Sequence, residues 1–103
     1  MPKVEPVDEA LRALADPGRR RILTLVRTDE RTAGEIAAEM PISWPAVSQH
    51  LRVLKGAGLL DERRAGTRRY YRARPEGLTG VRAFLDGFWD EKLQTLKREV
   101  ERG

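Results

Sequence analysis

Residues 41–71, PISWPAVSQHLRVLKGAGLLDERRAGTRRYY, read as a capped helix, a glycine stop and two short strands around a tight, arginine-flanked turn. Ser43 is a good N-cap, Pro45 suits the first helical turn, and Ile42 and Val47 occupy the N′ and N4 positions at which a hydrophobic staple closes. Val47, Leu51 and Leu54 recur at i, i+4 and i+7 as one buried stripe, which leaves Trp44, Ser48, Gln49, Arg52 and Lys55 on other faces. The open face is thus polar, hydrogen-bonding and positive. Gly58 supplies a residue able to take a positive φ just past the helix, and LLDERR and RRYYRA follow as strand-like segments split by Ala65, Gly66 and Thr67. Arginines at 63, 64, 68, 69, 72 and 74 crowd this region with no acid between them. The pattern is that of a DNA-reading helix over about 43–57 followed by a basic wing over about 59–73.

Upstream, Asp8 is a candidate cap for a short helix carrying Leu11 and Leu14, and Asp16 followed by Pro17 opens a second helix through Ile22, Leu23 and Val26. A charged loop from Thr28 to Arg31 ends it. Thr32 with Glu35 three residues on forms a capping-box pattern, which starts a third helix with Ile36, Ala37 and Met40 facing inward. A short break at Pro41 and Ile42 leads into the helix quoted above. Helix, tight break and capped helix make a helix-turn-helix, in which the first member braces and the second enters the major groove.

Downstream, Pro75 and Glu76 begin a segment over about 75–101 in which Leu78, Val81, Leu85, Phe88, Trp89, Leu93, Leu96 and Val100 recur at steps of mostly three and four, a long amphipathic helix. About 25 helical residues extend roughly 37 Å, more than a domain of this size covers alone. Gly80 and Gly87 each cost roughly 1 kcal/mol relative to alanine, so packing must stabilise the helix. A dimer pairing this helix, together with the first one, across a twofold axis meets both demands.

The chain has 103 residues, room for one small domain spanning 1–103 with one modest core. The net charge of +4 and a sequence pI near 10.0 favour a polyanionic partner, and the crowding of arginine in the wing says more than the total. No apolar run spans a bilayer and the first residues, MPKVEPVDEA, hold no hydrophobic signal core, so the expectation is a cytoplasmic protein without membrane contact. Absence of cysteine excludes disulfides, thiolate metal sites and thiol redox sensing.

The stretches LADPGRRRIL, GEIAAEM, SWPAVSQHLRVLKGAGLL and RRAGTRRYYRA, with the Phe88–Trp89 pair on the terminal helix, together resemble the ArsR-type winged-helix repressors over roughly residues 7–101. The PAVSQHLRVLKGAGLL block is the most specific part, and the resemblance is nearest to the cysteine-free branch of small autoregulating repressors. It implies a mainly α fold with a small β-hairpin wing, a winged helix-turn-helix dimerising through its terminal helices. It further implies a homodimer that binds an imperfect inverted repeat in double-stranded promoter DNA and blocks transcription. The family's metal ligands do not carry over, since GEIAAEM has no cysteine and the terminal helix no histidine. Asp86, Asp90 and Glu91 read as a solvated face or as partners of Lys92 and Lys97. Neither metal nor cofactor is expected, and the residues assign no inducing signal.

Within the expected interface, Ser48 and Gln49 lie where bases are read, and Gln bonds adenine bidentately. Arg52 and Lys55 lie further along, where phosphates are gripped. Ser43 caps its helix and sits where a phosphate meets a helix N-terminus, beside Pro45. Trp44 either packs on its own domain or touches a sugar or thymine methyl, and His50, the sole histidine, is either a half-buried, hydrogen-bonded structural residue or a phosphate contact. Arg63, Arg64, Thr67, Arg68 and Arg69 form the wing's contact set with backbone or minor groove. Tyr71 shares parity with Ala73 and points to the core, whereas Tyr70 faces outward. Leu11, Leu14, Leu85, Phe88, Trp89, Leu93 and Leu96 are the expected dimer contacts. No nucleophile has a paired base and no phosphate-binding glycine loop is present, so an enzyme is not expected. The alternative is a winged-helix module for protein association or non-specific nucleic-acid coating.

Overall fold

The computed structural model describes residues 5–102: α1 (Pro6–Leu14), α2 (Pro17–Leu25), β1 (Arg31–Thr32), α3 (Ala33–Ala38), α4 (Trp44–Gly56), β2 (Leu60–Ala65), β3 (Arg68–Ala73), a 3₁₀ turn (Pro75–Leu78) and α5 (Thr79–Arg102). Local chemistry explains most of the starts. Asp16 accepts the Arg19 backbone N–H at 3.0 Å and Pro17 follows it. At α3 the Thr32 hydroxyl accepts from the Glu35 N–H, and the Glu35 carboxylate accepts from the Thr32 N–H, each at 3.2 Å. Ser43 caps α4 by accepting from the Ala46 N–H. Asp8, by contrast, caps nothing: α1 starts at Pro6, whose fixed φ begins the helix earlier, and Asp8 with Glu9 lies in the first turn, beside the positive end of the helix dipole.

The end of α4 forms a Schellman motif. The Gly58 N–H bonds the Lys55 carbonyl and the Leu59 N–H bonds the Leu54 carbonyl, both at 3.0 Å. This geometry needs the left-handed φ of +76° that Gly58 takes. Leu59 and Leu60 thereby drop into the core beside Ile22, Val26, Ile36, Val47, Leu51 and Leu54. The stripe read from α4 is its buried face.

The sheet has three strands in the order β1-β3-β2, all pairs antiparallel. Its first strand lies partly in the segment expected to be loop: Arg31 pairs with Tyr71, and Thr32 with Tyr70. Two residues carry too little pattern to announce a strand, and only their partner on β3 makes them one. In the hairpin, Ala65 faces Arg68 across Gly66 and Thr67, and Gly66 has φ +63°, the first position of a II′ turn.

The segment from Pro75 is not one helix, as its periodicity had suggested. A 3₁₀ turn precedes α5, and a Cβ on Gly77 would overlap the Gly58 carbonyl oxygen, so backbone passes close over backbone there. Past this turn α5 leaves the domain. Val81 is its one buried residue, and the radius of gyration is 18.0 Å, against about 13 Å for a compact domain of this length. Among the described residues no helix is long and apolar enough to cross a membrane.

Candidate nucleic-acid interface

With Val47, Leu51 and Leu54 spent on the core, α4 turns Gln49 and Arg52 to solvent, with Ser48 half-buried beside the wing. The Arg52 guanidinium donates to Gln49 Oε1 at 3.3 Å, which orients the amide and leaves its NH₂ outward as a donor. At the start of the helix, Trp44 and Pro45 are exposed and the Ser43 hydroxyl is used by the cap. Trp44 meets both of its readings in part. One edge of the indole is packed so closely on Gly34 of α3 that a Cβ there would lie 3.0 Å from the ring, yet the residue stays 56% exposed. Trp44 and the wing tip, Thr67 and Arg68, border a shallow groove above β1.

His50 lies apart from this face. Its side chain is 19% exposed, with Nε2 3.7 Å from the Asp16 carboxylate at the start of α2. Nδ1 is buried without a hydrogen-bond partner among the described residues. α4 presents this position to α2 rather than to the groove, half-buried but, among the described residues, without the hydrogen bond expected of a structural histidine. Hydrogen bonding from the Arg19 N–H, helped by His50 and the Arg19 charge, keeps Asp16 below the ordinary aspartate range.

Strand parity divides the wing arginines. Arg64 and Arg69 face each other in register, on the side that carries the Glu62–Tyr71 and Leu60–Ala73 pairs. Arg63 and Arg68 alternate to the opposite side. Arg63 is engaged within the protein: it donates to Glu30 Oε2 at 2.8 Å and lies 4.8 Å from the centroid of the Tyr70 ring. The Arg63 hydrogen bond is the main cause that lowers the Glu30 pKa, and the same bond raises that of Arg63. Tyr70, expected outward, is half-covered as a result.

The absence of acids among the six arginines is misleading, because acids reach them from neighbouring segments. Glu62 bonds Lys55 at 2.5 Å and lies 3.6 Å from Arg69, and Arg74 lies 3.8 Å from Asp61. Among the described residues, Arg64 and Arg68 have no carboxylate within ion-pair distance. Sequence reading missed Glu30 and Glu62, since only the fold reveals which acid lies beside which arginine.

On α5, Phe88 and Trp89 are each 59% exposed and Leu93 is 63% exposed, while Leu85, Leu96 and, on α1, Leu11 are exposed as well; Leu14 is half-buried on the core. Phe84, not singled out in the sequence, joins them through an edge-to-face contact with Phe88 at 5.3 Å. Asp86 lies 3.7 Å from Arg82 rather than against a lysine. Among the described residues no three metal-ligating side chains converge.

Residues 16–62 match the family described as bacterial regulatory protein, arsR family. An HTH-type transcriptional regulator of Mycobacterium tuberculosis, Rv2034, is 49% identical over 86 residues, covering 84% of this chain and 80% of that protein. The transcriptional repressor SdpR of Bacillus subtilis is 40% identical over 65 residues, covering 63% of this chain and 72% of the repressor. A homodimeric winged helix-turn-helix DNA-binding domain of Mycobacterium bovis superposes with a TM-score of 0.66 at 34% identity, covering 87% of this chain and 83% of that one.

Proposed function

Because this chain belongs to the ArsR family of bacterial regulatory proteins, we propose that two copies of it form a repressor that reads an inverted-repeat operator in promoter DNA. The observation that carries this reading is the outward face of α4, where Gln49, ordered by Arg52, stands beside a wing whose Arg64 and Arg68 are not paired with acids among the described residues. Each α4 enters a major groove, the two about one turn apart at roughly 34 to 36 Å. Ser48 and Gln49 read base edges, Trp44 and Pro45 pack against sugar or a thymine methyl, and Arg52, Arg64, Thr67 and Arg68 grip the backbone. Leu11, Leu85, Phe88, Trp89, Leu93 and Leu96 meet their counterparts across the twofold axis. The homodimeric mycobacterial neighbour supports that pairing, and the relationship to a named repressor supports repression over activation.

Selection of binding sites from a random pool of double-stranded DNA tests the reading directly. The expected product is an inverted repeat bound at least about a thousandfold more tightly than scrambled DNA at physiological salt. An unenriched pool, with binding that fades steeply as salt rises, would point instead to a non-specific coating or protein-association module.

A further inference from the structure

Among the ion-paired carboxylates, Glu62 has the least exposed side chain, at 15%. It sits at mid-strand on β2, opposite Tyr71, and its two oxygens serve three groups from two elements. Oε2 accepts from the Lys55 ammonium of α4, while Oε1 accepts from the Tyr71 hydroxyl at 3.4 Å and lies 3.6 Å from Arg69 of β3. Together with Ser48 and Arg52 these side chains line the groove between α4 and the wing. A negative charge at that place opposes a DNA backbone, and in a pure phosphate-gripping surface it would only cost affinity.

We propose that Glu62 is a positioning residue for DNA discrimination: its carboxylate holds Lys55 and Arg69 against the protein, so that these two cations do not grip the phosphates of every passing duplex. The inference rests on the DNA-binding reading above. Non-specific affinity scales with the number of phosphates neutralised, so two restrained cations lower it steeply. Binding to a fitting site draws on the base contacts of Ser48 and Gln49, which Glu62 does not touch. The pairs also tie the wing to α4, fixing the distance between base-reading and backbone-gripping elements. Penalising the wrong partner in this way improves the ratio of specific to non-specific binding.

The test is fluorescence anisotropy of the full chain with a random duplex and with the selected operator, over a salt range of about 0.05 to 0.3 M. The variants are Glu62→Gln, which keeps shape and acceptor but not charge, Lys55→Met, and the two combined. Glu62→Gln should bind the random duplex roughly tenfold more tightly near 0.1 M salt for each cation released, with a salt slope steeper by about 1 to 2. Its operator-to-random ratio should fall, and Lys55→Met should reduce the slope more in the Glu62→Gln chain than in the otherwise unchanged one. An unaltered slope in Glu62→Gln, or the same effect of Lys55→Met in both backgrounds, would overturn the proposal. If Glu62→Gln does not fold, Lys55→Met alone decides: a slope loss of about 0.9, that of a free phosphate-gripping lysine, overturns it, and a clearly smaller loss supports it. Failure of the unsubstituted chain to bind any duplex would remove the DNA-binding reading itself, a result separable from a failed clamp.

Discussion

Gln49 and Arg52 stand almost one turn apart on the open face of α4, and the bond between them fixes which end of the amide meets a base. Replacing Gln49 by Ala should therefore relax preference at one base position in each half-site, at a cost of about 1 to 3 kcal/mol in discrimination, read from affinities for a panel of single-base operator variants. An equal loss on every sequence would contradict the assignment. Asp16 gives a second prediction at this scale. Its folded pKa is depressed, so its contribution to stability is complete above about pH 4 and is lost as pH falls through the lower folded value. Urea unfolding of the chain and of Asp16→Asn should accordingly differ at neutral pH and converge toward pH 3 or below; a gap that persists in acid would mean that charge is not what Asp16 contributes. Residue identities on the open face were legible because the 3.6-residue period sorts them. The fate of His50, Arg63 and Lys55 was not, since their partners Asp16, Glu30 and Glu62 lie in other segments of the chain.

Among the elements, α2, α3 and α4 announce themselves by caps made from side chain and backbone within three residues, and such chemistry is readable from a string of letters. β1 and the 3₁₀ turn depend on what passes beside them. Gly77 marks the difference: it allows the turn before α5 to cross the Gly58 carbonyl. Gly77→Ala should cost about 1 to 3 kcal/mol in chemical unfolding, or more if the backbone cannot move. Gly87, inside α5 with nothing within 4 Å of an added Cβ, should behave oppositely, and Gly87→Ala should stabilise by up to about 1 kcal/mol. A destabilised Gly87→Ala chain would mean that another backbone packs on that side of the helix.

The whole molecule measures 64 × 36 × 25 Å, and the long dimension follows from α5 leaving the domain with an apolar face uncovered. If that face is the dimer contact, Trp89→Arg or Leu93→Glu should give a monomer in sedimentation velocity at micromolar concentration that still unfolds cooperatively and loses helicity only from α5, since both side chains are exposed within one chain. Operator affinity should then fall by roughly a hundredfold or more as the two half-sites cease to be bound together. A variant that stays dimeric would place the contact elsewhere. By itself the sequence determined the three capped helices, the glycine that ends α4, the hairpin and the two faces of the recognition helix, because each depends on residues within about one or two turns of one another. Only the tertiary structure decided that β1 is a strand, that His50 turns toward α2, and which arginines remain unpaired. Ion pairs such as Glu30–Arg63 join residues far apart in the chain, and no local pattern records which charges folding will bring within reach.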